Sequence, residues 1–254
     1  MVWKAVARSQ VGRIHQSQKL PCQDHCGYHI LSNDVIVGVV ADGAGSAKYS
    51  DEGSKLAVKT VLDYFKTINL EPGKLSCSRS EEETRELLTE IVENVIRQLQ
   101  QTAEEKHCHI NDFACTLLVL IATPDWLGAM QVGDGFIVVR SQSSEDYQLL
   151  FTPDKGEFVN ETTFITSTHA LEEMQVKVMS SPRFIAAATD GLEKVAIRFI
   201  DWKPFSPFFK PFEEYLQETG DPEQDDQYLL EFLDSERLNA RTDDDKTLLL
   251  CLWE

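Results

Sequence analysis

Seven short runs of apolar residues along the chain are typical of buried β-strands. Several are apolar at consecutive positions instead of alternating ones, which predicts strands that are covered on both faces. The runs span residues 35–41, 114–122, 129–132, 136–140, 147–152, 183–189 and 247–253. The runs from 114 to 152 follow one another with no helical pattern between them, which favours antiparallel strands over a doubly wound parallel sheet.

Two amphipathic helices are predicted between the first and the second of these strands. The earlier one begins after Ser50 and carries acidic residues in its first turn. The later one begins at Ser80, with Glu83 at the spacing of a capping box, and continues as an apolar stripe along one side. The segment between the helices contains Pro72 and Gly73 and is predicted to be a loop.

The pattern of apolar and polar residues changes between about residues 200 and 240. Residues 202–212 read WKPFSPFFKPF, and an acidic, helix-like segment follows at 227–233. We interpret this part as a helical, Pro/Phe-rich excursion that packs on the fold and returns to the last strand; a partner-docking patch on 202–212 is the alternative. Grouped strands and two blocks of helices indicate an α+β layered sandwich, which residues 1–254 would form as one domain.

Composition and charge narrow the function classes. The 254 residues include 24 Lys+Arg and 42 Asp+Glu, which gives a formal net charge of −18. This acidic balance argues against a nucleic-acid binder, which needs a basic face, and against an anionic membrane surface as the partner. The apolar runs are far shorter than the ~20 residues of a membrane span, and no secretory signal pattern is present. We therefore expect a cytoplasmic protein without nucleic-acid or membrane partners.

Six cysteines are scattered along the chain, and their spacing does not predict a zinc site. Cys22 and Cys26 are four residues apart and Cys108 lies between two histidines, but neither cluster repeats a CxxC-type spacing. We expect reduced thiols.

The chain repeatedly runs from an apolar strand directly into an aspartate. Asp42, Asp134 and Asp190 each end such a run and are followed by glycine; the run 243–245 precedes the last strand, and Asp24 lies near the N-terminus. Carboxylates gathered at one sheet edge repel one another unless a cation lies between them, and oxygen ligands alone favour Mg²⁺ or Mn²⁺. The glycine lets a backbone carbonyl approach the ion. Each Asp-Gly pair alone is interpretable as a turn, but their recurrence favours a metal centre.

Other phosphate and metal motifs fit less well. The glycine-rich segment 43–48 lacks the ending of a phosphate-binding loop, because Tyr49 follows Lys48. A calcium loop over residues 221–232 would need glycine at its sixth position, where the chain has Asp226.

Seven segments, which together extend over nearly the whole chain, carry a resemblance to a known family. In order along the chain they are HQSQKLPCQDH (15–25), VVADGAGSAKYSDEGS (39–54), DFACTLLVLIA (112–122), QVGDGFIVVR (131–140), FVNETTFIT (158–166), AATDGLEKVA (187–196) and TDDDKTLLLCLW (242–253). Together they resemble the metal-dependent Ser/Thr protein phosphatases of the protein phosphatase 2C type, and most closely the compact bacterial branch. The resemblance implies an αββα sandwich, two antiparallel sheets flanked by helices, with a binuclear Mn²⁺ or Mg²⁺ centre at one end.

The resemblance also implies a ligand for each metal. The implied ligands are Asp42, which would bridge both ions, the Gly43 carbonyl on the second ion, Asp190 and Asp244 on the first, Asp24 on the second through water, and Asp134 on a third, weaker ion. Asp244 is chosen because the family pattern Asp-Asp-Lys/Arg-Thr begins there. Asp243 and Asp245 are then expected to be solvated or to support the ligands.

By this resemblance, Asp42, Asp190 and Asp244 would act in catalysis through a water that the metals activate for in-line attack on phosphorus. A metal-bound water or His15 would protonate the leaving oxygen. Many relatives bind the substrate phosphate with an arginine where this chain has Lys19, a point charge instead of a fork; Arg13 or His15 is the alternative phosphate ligand.

The resulting hypothesis is a monomeric Mn²⁺- or Mg²⁺-dependent phosphatase of phosphoserine and phosphothreonine on proteins. The alternatives are a weakly active or inactive phosphatase fold that serves as a binding or regulatory module, and a hydrolase of other phosphate monoesters. The acidic composition further predicts phosphoprotein substrates with basic residues beside the phosphate.

Overall fold

The computed structural model describes residues 1–67, 79–151, 162–224 and 226–254. The strands are β1 Trp3–Gln10, β2 His25–Ser32, β3 Val35–Ala41, β4 Leu117–Ala122, β5 Trp126–Val132, β6 Phe136–Ser141, β7 Gln148–Leu149, β8 Gln175–Ser180, β9 Pro182–Ala188, β10 Ile197–Arg198, β11 Lys203–Pro204 and β12 Lys246–Trp253. The helices are α1 Arg13–Gln18, α2 Ser50–Thr67, α3 Glu81–Glu105, α4 Glu193–Ala196, α5 Ser206–Glu218, α6 Gln227–Leu233 and α7 Glu236–Asn239, with short 3₁₀ helices at Ile110–Phe113 and Asp190–Leu192. The predicted loop around Pro72 and Gly73, Cys77, and residues 152–161 lie outside the described residues.

The described strands form two five-stranded antiparallel sheets and a small β10–β11 ribbon. The first sheet has the order β1-β12-β9-β6-β7, and the second has the order β2-β3-β4-β5-β8. Helices α2 and α3 pack on the outer face of the second sheet, and α5 and α6 pack on the outer face of the first. The predicted αββα sandwich is therefore confirmed, and its two sheets face each other across a shared apolar layer.

Strand β3 shows why the strands read as continuous apolar runs. Val35, Val37 and Val39 pack against α2 and α3, whereas Ile36 and Val40 pack against the first sheet. Both faces are thus covered, as the sequence predicted. At Gly38 the sheets approach so closely that an added Cβ would lie 2.4 Å from Leu249 Cδ2.

The long helix α3 begins as the capping box predicts. The amide of Glu83 donates to Ser80 Oγ at 3.2 Å, and the amide of Ser80 donates to Glu83 Oε2 at 2.8 Å. These bonds pair two amide groups that the first helical turn would leave without partners.

Residues 200–241 contain the ribbon strand β11 and three helices. Helix α5 has Pro207 in its first turn, where the missing N–H costs nothing, and a second proline, Pro211, inside it. Phe209 and Phe212 are buried against the first sheet. Among the described residues, no helix is long and apolar enough to cross a membrane.

Candidate metal centre

A pocket of about 210 Å³ lies where the strands of both sheets end, and the predicted aspartates gather there. Asp42 follows β3 directly, Asp134 lies between β5 and β6, Asp190 follows β9 after one residue, and Asp244 precedes β12 by two. We call this site the carboxylate pocket. Its lining includes the predicted residues Asp42, Gly43, Asp134, Asp190, Asp244 and His15, and also Asp245, Thr116 and Thr162.

The charges of the carboxylate pocket are unbalanced. Its lining holds five aspartates, and the described lining residues include no Lys or Arg. Burial, followed by repulsion from the carboxylates of Asp24 and Asp190, raises the pKa of Asp42 well above its usual range. Burial, followed by the charges of Asp134 and Asp244, raises the pKa of Asp190 to about 7. A counter-charge that joins these carboxylates would therefore favour their ionised form.

This donor set fits a hard divalent cation. Asp42 and Asp190 line the same pocket, and each carboxylate lies among others of the same charge. A cation bound among them would offset this repulsion and use their oxygen atoms, which are ligands that Mg²⁺ and Mn²⁺ prefer. Within the described part of the chain, no three His, Cys, Asp or Glu side chains already form a complete ligand cluster. Binding therefore requires these carboxyl groups to ionise and turn toward the ion.

Asp42 is held in place through its backbone. Its amide donates to Thr116 Oγ1 at 3.0 Å, and its carbonyl accepts from the Thr116 amide at 2.8 Å. Thr116 precedes β4, the neighbour of β3, so two adjacent strands fix the position of this aspartate. Thr162 Oγ1 likewise donates to Asp134 Oδ2 at 2.5 Å. The roles of Thr116 and Thr162 were not predicted, although both lie in the segments that carry the family resemblance.

Asp24 does not line the carboxylate pocket. It is 2% exposed, and its Oδ2 accepts hydrogen bonds from Thr189 Oγ1 at 2.8 Å and Thr247 Oγ1 at 2.9 Å. These bonds tie the end of β9 to the beginning of β12 beneath the pocket. Burial is the largest cause that raises its pKa to about 8, and the nearby Asp245 and Asp190 add to it. The water-mediated metal contact expected for Asp24 stays a prediction.

Asp245 has a larger structural role than the sequence indicated. It is 3% exposed and accepts hydrogen bonds from the amides of Gly12 and Gln23, each at 2.6 Å. Its Oδ2 also lies 3.0 Å from His15 Nδ1, at ion-pair distance although not aligned as a hydrogen bond. Of the two alternatives considered for Asp243 and Asp245, Asp245 takes the supporting position and Asp243 is exposed.

Two glycines clamp the backbone of Asp244 and Asp245. A Cβ added at Gly191 would lie 1.9 Å from the Asp245 carbonyl oxygen, and one added at Gly12 would lie 2.2 Å from the Asp244 carbonyl carbon. The glycine after Asp190 is thus explained by close approach of two backbones, whereas the sequence suggested approach to an ion. A similar approach applies at Gly43, whose Cβ would lie 2.6 Å from the Ser50 carbonyl oxygen.

The residues predicted to bind the substrate phosphate are not brought into the pocket. Lys19 and Arg13 are exposed, and neither belongs to the described lining. Lys19 ends α1 with φ 60°, and Arg13 lies close enough to Lys246 to contribute to the lowering of its pKa, which burial mainly causes. His15 is therefore the member of the predicted phosphate-binding group that the pocket contains.

Comparison with known proteins gives concordant results. The protein phosphatase 2C family model matches residues 11–234. Serine/threonine-protein phosphatase 3 of Escherichia coli (strain K12) is 38% identical over 260 residues, which cover 100% of this chain and 99% of that protein. The solved S. agalactiae serine/threonine phosphatase has a TM-score of 0.67 at 16% identity, with 99% of this chain and 100% of the other covered. RsbX in complex with magnesium has a TM-score of 0.59 at 15% identity, with 100% and 96% covered. At such identities these two structures establish a shared fold alone.

Proposed function

The chain belongs to the protein phosphatase 2C family, and on this premise we propose that it hydrolyses phosphoserine and phosphothreonine esters on proteins. The observation that carries the proposal is the carboxylate pocket, where five aspartates and His15 meet without a described Lys or Arg in the lining. A phosphate dianion would be repelled by this lining, so the pocket can accept it only together with cations. Phosphatases of this family depend on Mg²⁺ or Mn²⁺.

The chain's own residues would hold these cations. Asp42, the Gly43 carbonyl, Asp190 and Asp244 would bind two ions, with Asp134 at a third and Asp24 reaching the second through water. When bound, the ions supply positive charge for the phosphate oxygens and activate a water for in-line attack.

Asp245 and His15 form the protein's contribution to proton transfer. The Gly12 and Gln23 amides fix the Asp245 carboxylate, which lies 3.0 Å from His15 Nδ1. This contact positions the imidazole so that Nε2 can donate a proton to the leaving seryl or threonyl oxygen. Asp245 is a positioning residue in this scheme, and His15 is the general acid.

The hydroxyl groups of the pocket are committed to structural bonds. Thr162 Oγ1 donates to Asp134, and Thr116 Oγ1 accepts from the Asp42 amide. No Ser or Cys belongs to the described lining. The described lining thus offers no Ser or Cys nucleophile, which supports direct transfer of the phosphoryl group to water.

A second candidate function is a weakly active or inactive member that binds phosphorylated partners. The observation that favours it is the position of Lys19, which is exposed and does not belong to the described pocket lining. A hydrolase of other phosphate monoesters is the third candidate.

The decisive experiment compares hydrolysis of a phosphothreonine peptide by the wild type and by Asp42→Asn, each with Mn²⁺ and with excess EDTA. We expect activity that requires Mn²⁺ and falls by about a thousandfold or more in Asp42→Asn, because transition-state charge stabilisation of several kcal/mol is lost. Asp243→Asn is the matched control, since it removes an exposed neighbouring carboxylate outside the lining. Absence of turnover by folded, Mn²⁺-binding wild type would favour the binding module, and preference for phosphotyrosine or small esters would favour the third candidate.

A further inference from the structure

A second cavity, of about 610 Å³, lies on the opposite side of the first sheet from the second sheet, among α4, β10 and α5–α7. We call it the helical groove. Aromatic and proline side chains of α5, including Phe208, Pro211 and Phe212, form its apolar wall. Lys194, Arg198, Arg237 and Arg241 also line it.

The helical groove is positively charged in a strongly acidic chain. It has four cationic lining residues and no described carboxylate in the lining, whereas the whole chain has a formal net charge of −18. All four cations are exposed. Of these, Arg198 is paired within the described residues, with Asp201 at 2.7 Å. Lys194, Arg237 and Arg241 are not in an ion pair with any described carboxylate, so they are available to a bound anion.

Exposed apolar side chains concentrate at the same place. Phe205 and Tyr228 line the groove and are each 43% exposed. Phe199 and Ile200, which follow Arg198, are 44% and 95% exposed. Large apolar side chains beside unpaired cations form a surface that suits a ligand carrying both aromatic and acidic groups.

The helical groove and the carboxylate pocket are lined by residues that are close together in the sequence. Lys194 follows Asp190 by four residues, and Arg241 precedes Asp244 by three. An extended chain advances at most about 3.6 Å per residue, so these pairs of Cα atoms are separated by no more than about 14 Å and 11 Å. A protein bound in the groove can therefore present a residue a few positions away to the pocket.

We propose that the helical groove docks a segment of the phosphoprotein substrate that contains acidic residues and an aromatic side chain, outside the phosphorylated residue itself. This inference rests on the proposed phosphatase function. The acidic side chains pair with Lys194, Arg237 and Arg241, and the aromatic ring packs on Phe205 and Tyr228. The overall charge of the chain predicted substrates with basic flanks; the groove selects the opposite charge because its lining carries cations and no described carboxylate.

The test measures binding and turnover separately. The binding probe is a fluorescein-labelled 12-residue peptide of alternating Glu and Ser with one central Trp, followed by fluorescence anisotropy in EDTA. We expect saturable binding that weakens as salt increases, and that weakens about tenfold in Arg237→Glu/Arg241→Glu. Lys210→Glu is the matched control, because Lys210 is an exposed cation of α5 outside the groove lining, and it should bind as the wild type does. Phe205→Ala should weaken binding of the Trp peptide but not of the same peptide with Trp replaced by Ala.

The turnover arm uses a phosphothreonine peptide joined to the acidic, aromatic segment by a flexible linker. We expect a lower KM than for the unlinked phosphopeptide, and loss of this difference in Arg237→Glu/Arg241→Glu. Because the binding arm needs no catalysis, an inactive wild type that still binds the probe would overturn the phosphatase proposal and leave the groove's ligand class intact. Tighter binding of the matching Lys/Ser/Trp peptide, equal binding by Lys210→Glu and the double variant, or self-association through the groove in sedimentation would overturn the docking proposal.

Discussion

The carboxylate pocket and the helical groove are opposite in charge although the same two strands lead into both. Beyond β9, the chain passes Asp190 in the pocket and then Lys194 in the groove; before β12, it passes Arg241 in the groove and then Asp244 in the pocket. The pocket lining holds five carboxylates, and the groove lining holds four cations. Chain segments of three and four residues therefore separate two surfaces of opposite potential.

The two sites also differ in how far their charged groups are buried. Asp42 and Asp190 of the pocket are half-buried, and burial is the largest cause of their raised pKa values. The cations of the groove are exposed. Buried like charges destabilise the folded protein until a counter-ion binds, whereas exposed like charges are screened by water and salt. The pocket is thus suited to tight binding of a small cation and the groove to weaker, salt-sensitive binding of a peptide.

Among substitutions, the largest effect on stability should come from one that disturbs the backbone of the pocket. In Gly191→Ala the new methyl group would lie 1.9 Å from the Asp245 carbonyl oxygen, so one of the two backbones must move. We expect the free energy of unfolding to fall by about 3 kcal/mol or more, measured by urea denaturation.

Gly220→Ala is the matched control on the groove side, in the connection between α5 and α6. No atom lies within 4 Å of a Cβ added there, so its free energy of unfolding should stay within about 0.5 kcal/mol of the wild type. Equal effects of the two substitutions would show that the backbone packing around Asp245 is no tighter than that beside the groove.

A second prediction concerns the pH dependence of the metal-free protein. The folded-state pKa values of Asp24 and Asp190 are raised to about 8 and about 7, above the value near 4 of an unfolded chain. The folded protein therefore binds more protons than the unfolded one between about pH 4 and 8, and its stability falls as pH rises through this window. With EDTA we expect a loss of about 6 kcal/mol in the free energy of unfolding from pH 5 to pH 8, the larger share of it from Asp24.

Two further measurements test whether the carboxylate pocket causes this pH dependence. Mn²⁺ should stabilise the protein more at pH 8 than at pH 5, because the cation replaces the protons on the carboxyl groups. Arg241→Gln should keep the pH slope of the wild type, because an arginine does not titrate in this window. A metal-free protein whose stability is flat or rises between pH 5 and pH 8 would contradict the account of the pocket.

The smallest predicted effect concerns the free energy of unfolding after removal of one charged group, either a carboxylate of the pocket or an exposed cation of the groove. With EDTA at pH 8, Asp190→Asn should raise the free energy of unfolding by about 1 kcal/mol, because it removes one of several repelling buried carboxylates. Arg241→Gln removes an exposed charge and should change it by less than about 0.5 kcal/mol. Thermal unfolding in EDTA and in Mn²⁺ measures both, and Asp190→Asn should lose most of the stabilisation by Mn²⁺. Destabilisation by Asp190→Asn in EDTA would mean that the carboxyl group is fully compensated without metal.

The strands that are buried on both faces were predicted best from the sequence. Strand β3 was predicted with its observed bounds, and β12 to within one residue, because both are completely buried and read as unbroken apolar runs. Strands β1, β2 and β8 were not predicted. They lie at edges of the two sheets and are partly exposed, so polar residues interrupt their patterns. Helix α5 was predicted only as part of a helical excursion, since Pro211 inside it opposes helix formation and its phenylalanines are held by the first sheet.

The carboxylate pocket was predictable in its main residues but not in their support. Asp42, Asp134, Asp190 and Asp244 follow or precede apolar strands, and strand ends of a sandwich meet at its edges. The support of Asp245 comes from the Gly12 amide, 233 residues away in the chain, and the place of Asp24 comes from two threonine hydroxyls on different strands. No pattern within a short window contains such pairs.

The sequence by itself therefore determined the apolar strands, the capped helix and the acidic residue types at the strand ends, because each depends on neighbours within a few positions. Only the tertiary structure decided that Asp245 lines the carboxylate pocket and Asp24 does not, that Lys19 and Arg13 stay outside its described lining, and that four cations from two separate segments line one groove. The physical reason is that burial and hydrogen-bond partners of a polar group are set by distant segments that meet only after the two sheets have packed.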